Sequence, residues 1–546
     1  MNWENARNFF ISRAYGNISY NFVVALLFIA VLIAHLYQLD NIPTGLFIDE
    51  SAIGYNAALI GQTGMDEHGI YFPTYFRSFN DYKAPIYIYA VTLIFKLFGI
   101  SEFSLRFTSF TFYILSLILM LILIYKIFES SKIILLYTLI SFGFLPHFFT
   151  VSRIGFEVIS QLATISVTAL LVWMIFHEPK EGKFNYFKVL LCGLALGTSV
   201  YTYPTARILS FLMLILLWIV YCERNNIKKL IGITLTFLIC LIPYILFLVN
   251  NPGGLTARFS KISYIYQPIP IFDKILIFIN NYIKYWSPDF LIRSGDTNLR
   301  HATGYGGVIY SITWFLFLLG LINILISKKL ILNKFNIFIL INLFLSPVGA
   351  AFTSGISPHA LRSLLISYYI LLISCYGIQF ILSIKNYYRK QGLITCIIIF
   401  LIFEIIGYQF NYFIFYPPNS AKAMESLNFK ESLQAAVDRN PKEVIFMNES
   451  SSLNYIHLKF YSYLIENPKQ IPIKQVEDPI PKLGSCLLYY REHEAEIANS
   501  TLRFTEHQIS KALNPIQSFL KAKKYPKIMK LRCYNRVEEK AVAVSN

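Results

Sequence analysis

Charged residues are scarce in this sequence. They make up 14% of the 546 residues, whereas a soluble domain carries about 25%. Hydrophobic residues make up 55% and lie in long blocks, such as 18–37 and 208–222. Helical blocks of this kind can cross the roughly 30 Å hydrocarbon core of a bilayer. The scarcity of charge therefore excludes an ordinary soluble protein and predicts an α-helical polytopic membrane protein.

Cysteine is also sparse, and the cysteines are not clustered. There are seven, with no CxxC pair and no Cys/His group at zinc-ligand spacing, which argues against a zinc module. Most lie in or beside apolar blocks, where a small hydrophobe is the simple interpretation. Cys486 and Cys533 lie near the C-terminus. They could form a disulfide in an oxidising compartment, or remain a buried reduced pair.

A basic stripe of the kind that binds nucleic acid is missing, although the formal net charge is +17. Before the C-terminal segment, most Lys and Arg residues fall in short loops between apolar blocks, and this is how membrane topology is encoded. No soluble segment combines clustered cations with interleaved stacking aromatics. We therefore predict no nucleic-acid partner.

A hydropathy window of about 19 residues predicts eleven membrane-spanning helices. They fall near 20–39, 104–126, 133–150, 157–177, 187–203, 207–222, 230–249, 308–327, 335–352, 361–384 and 392–412. The first apolar block is long for a signal peptide and lacks a small-residue cleavage site, so we expect it to stay as an anchor.

The charges of the loops predict the orientation of the chain. One set of loops is rich in Lys and Arg and is assigned to the cytoplasm by the positive-inside rule. These charges are Lys126, Lys132, Lys180, Lys183, Lys188, Arg224, Lys228, Lys229, Lys328, Lys329, Lys334, Lys385, Arg389 and Lys390. The N-terminus is then cytoplasmic, and an odd number of spans places the C-terminal segment outside the plasma or inner membrane.

Two long loops, about 40–103 and 250–307, fall on the external side in this topology. Within the first, the run 86–100 is short for a span and carries Lys96. We interpret it as a helix lying in the membrane interface, with a tilted span as the alternative.

The last part of the chain differs in composition from the rest. Its charge density rises and its apolar runs shorten. The runs 443–449 and 486–492 are typical of strands, and 420–438 is typical of an amphipathic helix. We predict two domains: a transmembrane domain over 1–412 and a small extracytoplasmic α/β domain over 413–546.

Polar residues of mixed charge collect on the predicted external side. Asp49 and Glu50 follow the first span, and Asp81 and Lys83 precede another apolar run. Desolvating a carboxylate costs several kcal/mol, so unused ones are rare at a bilayer edge. Further external candidates are Arg153, Glu157, Tyr201, Tyr203, Arg207, Asp296, Arg300, His301, His359 and Arg362. Ordinary solvation of loops is the alternative for any one of them, but the cytoplasmic loops contain almost no such mixed clusters.

This set of residues suits a phosphorylated lipid. Guanidinium and ammonium groups bind phosphate through charge-assisted hydrogen bonds. A nearby carboxylate can take the proton of an incoming hydroxyl or amine. A lipid phosphate is a good leaving group that needs no nucleotide supply outside the cell. A divalent cation such as Mg²⁺ or Mn²⁺ would suit the same groups, although no spacing requires one.

Several segments together resemble glycosyltransferase family 39 over about residues 20–412. They are the Asp-Glu pair after the first span, DYKAP at 81–85, EFSLRFTS at 102–109, SGDTN followed by RH at 294–301, and PHALR at 358–362. This family includes the protein O-mannosyltransferases and the aminoarabinose transferases of lipid A. The resemblance implies a GT-C fold and an inverting glycosyltransferase. Its donor would be a polyprenyl-phosphate sugar, and its acceptor a protein, lipid or glycan.

The resemblance also implies roles for individual residues. Asp49 would be the general base, Glu50 would orient or support it, and Lys83 would contact the lipid phosphate. The predicted substrate-binding set is Asp81, Lys83, Arg153, Arg300, His301, His359 and Arg362. The family's aminoarabinose transferases have an acid directly before the lysine and two prolines after it. Here Tyr82 precedes Lys83 and Ala84 replaces one proline, which argues against a metal-ligand role for Asp81.

Two other functions stay open. A transporter or flippase of lipid-linked sugars would carry charges in mid-span, and Glu404 is an isolated acid there. A polysaccharide polymerase or ligase would use a pyrophosphate-linked donor and an Arg-rich external loop, and the second long loop holds Arg258, Arg293 and Arg300. The sequence identifies neither the sugar nor the acceptor.

Overall fold

The computed structural model describes residues 3–79, 81–177, 185–355, 357–448, 452–467, 469–477, 482–490, 493, 502–507 and 529–537. Two of the loop charges used to predict topology, Lys180 and Lys183, lie outside the described residues.

The described chain is mostly helical. Its α-helices are α1 Trp3–Leu36, α2 Ile48–Thr63, α3 Pro85–Phe98, α4 Glu102–Ile127, α5 Lys132–Phe144, α6 Pro146–Val151, α7 Val158–Phe176, α8 Tyr186–Ser199, α9 Pro204–Tyr221, α10 Ile227–Cys240, α11 Ile242–Asn250, α12 Ala257–Ile262, α13 Ile271–Lys284, α14 Ser311–Ile326, α15 Lys328–Ile331, α16 Lys334–Leu345, α17 Val348–Ala351, α18 Leu364–Leu382, α19 Tyr387–Phe410, α20 Tyr416–Met424, α21 Phe429–Asp438 and α22 Tyr455–Tyr461. Short 3₁₀ or π turns lie at Tyr264–Tyr266, Asp289–Arg293, Leu361–Ser363 and Asn411–Phe415.

Seven helical segments among the described residues are long and apolar enough to cross a membrane. They are Glu102–Ile127, Val158–Phe176, Pro204–Tyr221, Ile227–Asn250, Lys334–Ala351, Leu361–Leu382 and Tyr387–Ala421. Shorter apolar helices are Tyr20–Leu36, Pro85–Phe98, Lys132–Phe144, Tyr186–Ser199 and Ser311–Ile326. Every predicted span overlaps one of these helices, and α3 is the run predicted to lie at the interface. The prediction of a helical multi-pass membrane protein is confirmed.

Two segments predicted as single helices are interrupted. The predicted span 133–150 breaks between α5 and α6, because a residue before proline, here Leu145, is biased away from the helical conformation. The predicted helix 420–438 divides into α20 and α21, because Glu425 and Asn428 adopt left-handed backbone angles, with φ of 68° and 61°.

Helix α18 lies at the centre of the helical bundle, with nearly all of its side chains buried. It packs most closely on α14, where Gly320 and Gly377 face each other. A Cβ atom at either glycine would come within 2.1 Å of a backbone oxygen of the opposite helix. Small residues therefore allow the two backbones to meet, as is common between membrane helices.

The structure contains two sheets among its described residues. Strands β1 Phe76–Ser78 and β2 Asp81–Lys83 form an antiparallel hairpin in the first long loop. The C-terminal region forms a mixed sheet in the order β4-β3-β5-β7-β6. Its strands are β3 Glu443–Met447, β4 Ile473–Val476, β5 Ser485–Tyr490, β6 Leu502–His507 and β7 Met529–Val537.

This sheet agrees with the small C-terminal α/β region predicted from the sequence. The last residues of the two predicted strands, 449 and 491–492, lie outside the described residues. Cys486 and Cys533 are register partners on β5 and β7 and form a disulfide.

The C-terminal region packs directly on the helical body. Ser51 of α2 is hydrogen bonded to His457 of α22, with 2.8 Å between Oγ and Nδ1, and the Tyr461 hydroxyl donates to Glu102 at 3.0 Å. Helix α19 also continues through a π turn into α20. The predicted domain boundary at residue 412 therefore falls inside a continuous helical segment, and α2 is held between the two parts.

Candidate active site

A cavity of about 360 Å³ opens beside the N-terminus of α2. Most of the predicted site residues line it, namely Asp49, Asp81, Lys83, Arg300, His301, His359 and Arg362. They come from four segments that are far apart in the sequence, and the fold brings them to one place.

An ion pair between Asp49 and Lys83 lies on the wall of this cavity. Lys83 ends β2 and Asp49 stands in the first turn of α2, and Lys83 Nζ donates to Asp49 Oδ1 at 2.7 Å. Burial would raise the pKa of Asp49, but the charge and hydrogen bond of Lys83, with the charges of Arg300 and Arg258, outweigh it and lower that pKa. Burial would lower the pKa of Lys83, but the charges of Asp49 and Glu157 raise it. Both groups are therefore ionised at neutral pH.

Glu157 is a second carboxyl in the cavity and was not in the predicted substrate-binding set. It stands just before α7, and its Oε1 accepts the Ala84 N–H at 2.8 Å, one residue from Lys83. Burial raises the pKa of Glu157 to about 7, with Asp49 adding to the rise and Lys83 opposing it. This carboxyl therefore changes charge near neutral pH. Its position at the start of a predicted span was the signal in the sequence.

Asp296 organises a pair of histidines at another wall of the cavity. His301 Nδ1 lies 2.9 Å from Asp296 Oδ2, and the ring of His359 stacks on that of His301 at 4.6 Å. Asp296 also accepts the N–H groups of Asn298 and Ala360, each at 2.8 Å. Burial would raise the pKa of Asp296, but the hydrogen bond from His301 and these N–H groups lower it. Asp296 thus fixes the orientation of His301, which faces the cavity.

Asp296, His301 and His359 are also the group of described residues that could hold a metal ion, since one potential ligand atom of each lies within 4.8 Å of the others. However, both oxygens of Asp296 already accept hydrogen bonds. Oδ1 accepts only one of them and keeps a lone pair that can bind a cation. The group can therefore serve as a positioned pair of histidines or as a cation site, and no cofactor is established.

Two of the cavity arginines are held in place by short-range contacts. The guanidinium of Arg300 lies 4.0 Å from the centre of the Phe47 ring, and its Nε donates to Asn298 Oδ1 at 3.1 Å. Arg362 Nη1 donates to Thr353 Oγ1 at 2.8 Å. Because each keeps further N–H groups for a ligand, these arginines can bind an anion without large rearrangement.

Arg153 lies outside the cavity, which corrects its prediction as a substrate contact. Its side chain is fully buried, and its Nε donates to the Tyr412 hydroxyl at 3.2 Å. The rest of the guanidinium donates to backbone oxygens at and beyond the end of α1, those of Ala34, His35, Tyr37, Gln38 and Ile42. Arg153 therefore satisfies carbonyl groups that the end of the helix leaves open.

Glu50, predicted as a catalytic residue, also lies outside the cavity. Arg106 Nε donates to its Oε1 at 3.0 Å, and both side chains are 0% exposed. The same oxygen accepts the Gly155 N–H at 2.8 Å, and Oε2 accepts the Phe47 N–H at 3.1 Å. Glu50 therefore fixes both the start of α2, which carries Asp49, and the turn that leads to Glu157.

Comparisons with known proteins identify the fold. The family model described as "Dolichyl-phosphate-mannose-protein mannosyltransferase" matches residues 82–249. The crystal structure of ArnT from Cupriavidus metallidurans in the apo state has a TM-score of 0.53 and 9% sequence identity, covering 93% of this chain and 97% of that chain. The same protein bound to undecaprenyl phosphate has a TM-score of 0.55, with equal identity and coverage. No curated protein sequence matches the chain.

A more distant solved structure is an oligosaccharyltransferase from Archaeoglobus fulgidus, with a TM-score of 0.47 and 12% identity over 86% of this chain and 68% of that chain. That score is too low to support a comparison of sites. The likeness to ArnT extends over nearly the full length of both proteins and, at 9% identity, shows the fold. The family match covers residues 82–249, less than half of the chain, so the comparisons show a helical membrane protein with the fold of ArnT and a segment similar to that family.

Proposed function

We propose that this protein is an inverting glycosyltransferase that moves a sugar from a polyprenyl-phosphate donor to an acceptor at the outer face of the plasma or inner membrane. The observation that carries the proposal is the Asp49–Lys83 ion pair in a cavity lined by further cations. A carboxylate beside a phosphate-binding ammonium group supplies both a base and a stabilised leaving group.

The donor phosphate binds at Lys83 and Arg300 in this proposal. Both cations flank Asp49, since their charges act on its pKa. A bound phosphate competes with Asp49 for the Lys83 ammonium group. The pairing of Asp49 then weakens, and its carboxylate becomes a better proton acceptor when the donor is in place.

Asp49 then takes the proton of an acceptor hydroxyl or amine. The acceptor oxygen or nitrogen forms a bond to the anomeric carbon of the sugar, and the bond between that carbon and the phosphate oxygen breaks. The electron pair leaves with the phosphate, which Lys83 and Arg300 stabilise. A single displacement of this kind inverts the anomeric configuration.

Two further observations support the proposal. The ArnT protein that shares the fold was crystallised with undecaprenyl phosphate, a lipid phosphate of the required class. The disulfide between Cys486 and Cys533 suits an oxidising compartment, and this favours the external location of the C-terminal sheet. The acceptor class, whether protein, lipid or glycan, stays open.

The alternative of a lipid-linked sugar transporter rested mainly on Glu404, and the structure gives this acid another role. Glu404 accepts hydrogen bonds from the Ser311 N–H at 2.8 Å, from the Ser311 hydroxyl and from the Ile312 N–H. It therefore caps the N-terminus of α14, and this structural role accounts for an acid in mid-span.

Replacing Asp49 by Asn tests the proposal. We expect D49N to lower sugar transfer by about 10² to 10⁴-fold, the usual contribution of general base catalysis. Mass spectrometry of surface lipids, glycans and proteins from cells that make each variant identifies the product and measures its loss. Asp289→Asn is the matched control, because Asp289 is exposed and pairs with Arg293 outside the cavity. Full activity of purified, folded D49N would refute the role of Asp49.

A further inference from the structure

We infer that the substrates bring a second anionic group, a phosphate or a carboxylate, into this cavity and that Arg207 and Arg258 bind it. The inference rests on the proposed function for the first anion, the donor phosphate at Lys83 and Arg300. It adds a subsite whose chemistry limits which substrates the enzyme accepts.

Arg207 presents an unused hydrogen-bonding edge. It stands in the first turn of α9, and its Nη1 donates to the Leu255 backbone oxygen at 3.2 Å, while the guanidinium lies over the Tyr75 ring at 5.2 Å. Its Nε and Nη2 are buried and have no hydrogen-bond acceptor among the residues that the structure describes. Leaving such charged donors buried and unpaired costs free energy. A ligand that accepts from them removes that cost.

The geometry of this edge selects the ligand. The N–H groups of Nε and Nη2 point to the same side of a guanidinium and lie parallel. This is the edge that binds two oxygens of one carboxylate or phosphate. The stacking on Tyr75 holds the plane of the guanidinium, so the edge is oriented before the ligand arrives.

Arg258 extends the subsite toward Asp49. It lines the same cavity and follows Leu255, the acceptor of the Arg207 bond, by three residues. Its charge lowers the pKa of Asp49 and also acts on Arg300. Arg258 therefore shares the cavity with Arg207 and is near enough to Asp49 and Arg300 for its charge to act on both.

The cations that line the cavity outnumber the carboxyl groups that line it. Its cations are Lys83, Arg207, Arg258, Arg300 and Arg362, and its carboxyl groups outside the histidine pair are Asp49, Asp81 and Glu157. A sugar phosphodiester adds one negative charge. Asp296, whose pKa is lowered, adds a fourth carboxylate beside the histidines, so the charges balance when Glu157 is ionised and one cation stays uncompensated when Glu157 is protonated. A second anionic group restores the balance.

The second anion could be the distal phosphate of a pyrophosphate-linked donor, or an acidic group on the sugar or the acceptor. These sources share one chemistry at Arg207, and binding experiments separate them. The purified full-length protein in nanodiscs is titrated with undecaprenyl monophosphate and with undecaprenyl pyrophosphate. In a second titration, inorganic phosphate is added to protein saturated with the monophosphate.

We expect one of two results from the wild-type protein. If the donor supplies the second anion, the pyrophosphate binds at least about tenfold more tightly than the monophosphate, as expected for two added charge-assisted hydrogen bonds. If another substrate group supplies it, the two lipids bind alike and inorganic phosphate binds beside the monophosphate. In either case R207Q abolishes the second-anion binding and leaves monophosphate binding within about threefold, and R258Q weakens the second-anion binding.

Control variants keep the experiment decisive. R207K keeps the charge but lacks the two parallel N–H groups, so it should lose most of the second-anion binding. R258Q changes an exposed side chain and guards against misfolding of the Arg207 variants. R293Q removes a charge from the same loop outside the cavity and should have no effect. If neither titration depends on Arg207 or Arg258, the second subsite is refuted. If K83A also binds the monophosphate normally, the proposed function itself fails.

Discussion

Asp49 forms an ion pair with Lys83 in the structure. Its ion pair with Lys83 keeps the pKa of Asp49 low, and a carboxylate of low pKa is a weak base. About 36% of the Asp49 side chain stays exposed, so the pair is accessible to a ligand. In the proposed mechanism, the entry of a phosphate beside Lys83 makes Asp49 more basic, so proton acceptance is coupled to the presence of the donor.

The titration of Glu157 predicts a pH dependence of lipid-phosphate binding. Below its pKa of about 7 the carboxyl is neutral, and above it the carboxylate competes with the ligand for Lys83. We therefore expect the affinity for undecaprenyl phosphate to fall by about tenfold more between about pH 6 and pH 8 in the wild-type protein than in E157Q, on the scale of one charge at an effective dielectric of 20. Titrations of both proteins in nanodiscs at the two pH values measure this difference in affinity.

The comparison with E157Q controls for the ligand in this experiment. The second ionisation of a phosphate monoester also lies near pH 6, but it affects both proteins equally and cancels in their difference. Equal pH profiles for the wild type and E157Q would show that Glu157 does not face the bound phosphate.

The sequence predicted some of the site residues and not others for a clear reason. Asp49 and Lys83 stand beside apolar runs in segments that resemble a known family. Arg153 gave the same kind of local signal, but the open carbonyl groups of α1 take its guanidinium. Glu157 and Arg207 were external candidates outside the predicted substrate-binding set, and they line the cavity because α7 and α9 begin at its wall. That placement depends on tertiary packing, which no local pattern contains.

At the scale of elements, the contact between α2 and α22 predicts the effect of a single methyl group. A Cβ atom at Gly54 would lie 2.5 Å from the ring of Phe460, whereas one at Gly61 of the same helix would find its nearest neighbour at 3.6 Å. We expect G54A to lower the free energy of unfolding by about 1 to 3 kcal/mol, the usual cost of overpacking, and to reduce sugar transfer by displacing Asp49. Thermal unfolding in detergent and the transfer assay measure the two effects.

The control for this prediction is G61A, which should be neutral or slightly stabilising because alanine favours a helix over glycine. Combining G54A with F460L provides a second check, since the smaller side chain leaves room for the methyl group. An unchanged stability of G54A would mean that α22 moves away from α2 at no cost, and that it does not hold the helix in place.

Elements were predicted best where their signal was local. Long apolar runs marked every span, and Pro146 explains the break between α5 and α6. The turn at Glu425 and Asn428 was not predicted, because neither residue type requires a left-handed conformation. The packing of α22 on α2 joins segments about 400 residues apart, as the Ser51–His457 bond shows. The hydrophobic periodicity of these two segments does not predict that they pack together.

At the scale of the whole molecule, the disulfide predicts a redox-dependent stability. Cys486 and Cys533 are 47 residues apart, and closing a loop of that length stabilises a fold by about 4 kcal/mol in the chain-entropy model. We expect the double variant C486S/C533S to lose part or all of this amount. Thermal unfolding of the purified protein with and without a reductant checks the value, and the double variant should not respond to the reductant.

The same cysteines test the orientation of the chain. Thiol alkylation followed by mass spectrometry should find Cys486 and Cys533 unreactive until the protein is reduced, if the sheet lies in an oxidising compartment. Free thiols at both positions in freshly isolated membranes would contradict the proposed external location of the C-terminal region.

The involvement of the C-terminal region in the cavity was not predicted from the sequence. The resemblance covered about residues 20–412, and it implied a fold that the likeness to ArnT confirms. The segment after β3 nevertheless contributes Leu453 to the cavity wall. The composition of the C-terminal region favoured a separate external domain. Its charge density does not reveal that it packs against the helical body.

The packing of α22 on α2 has a consequence for how the protein is made. Ser51 and His457 are 406 residues apart, so the helix that carries Asp49 gains this partner long after its own synthesis. A ribosome-bound intermediate can insert most of its apolar helices and still lack the finished cavity. In the proposed function, a chain that still lacks α22 would therefore not yet transfer sugar, because the helix that carries Asp49 is not yet held in place.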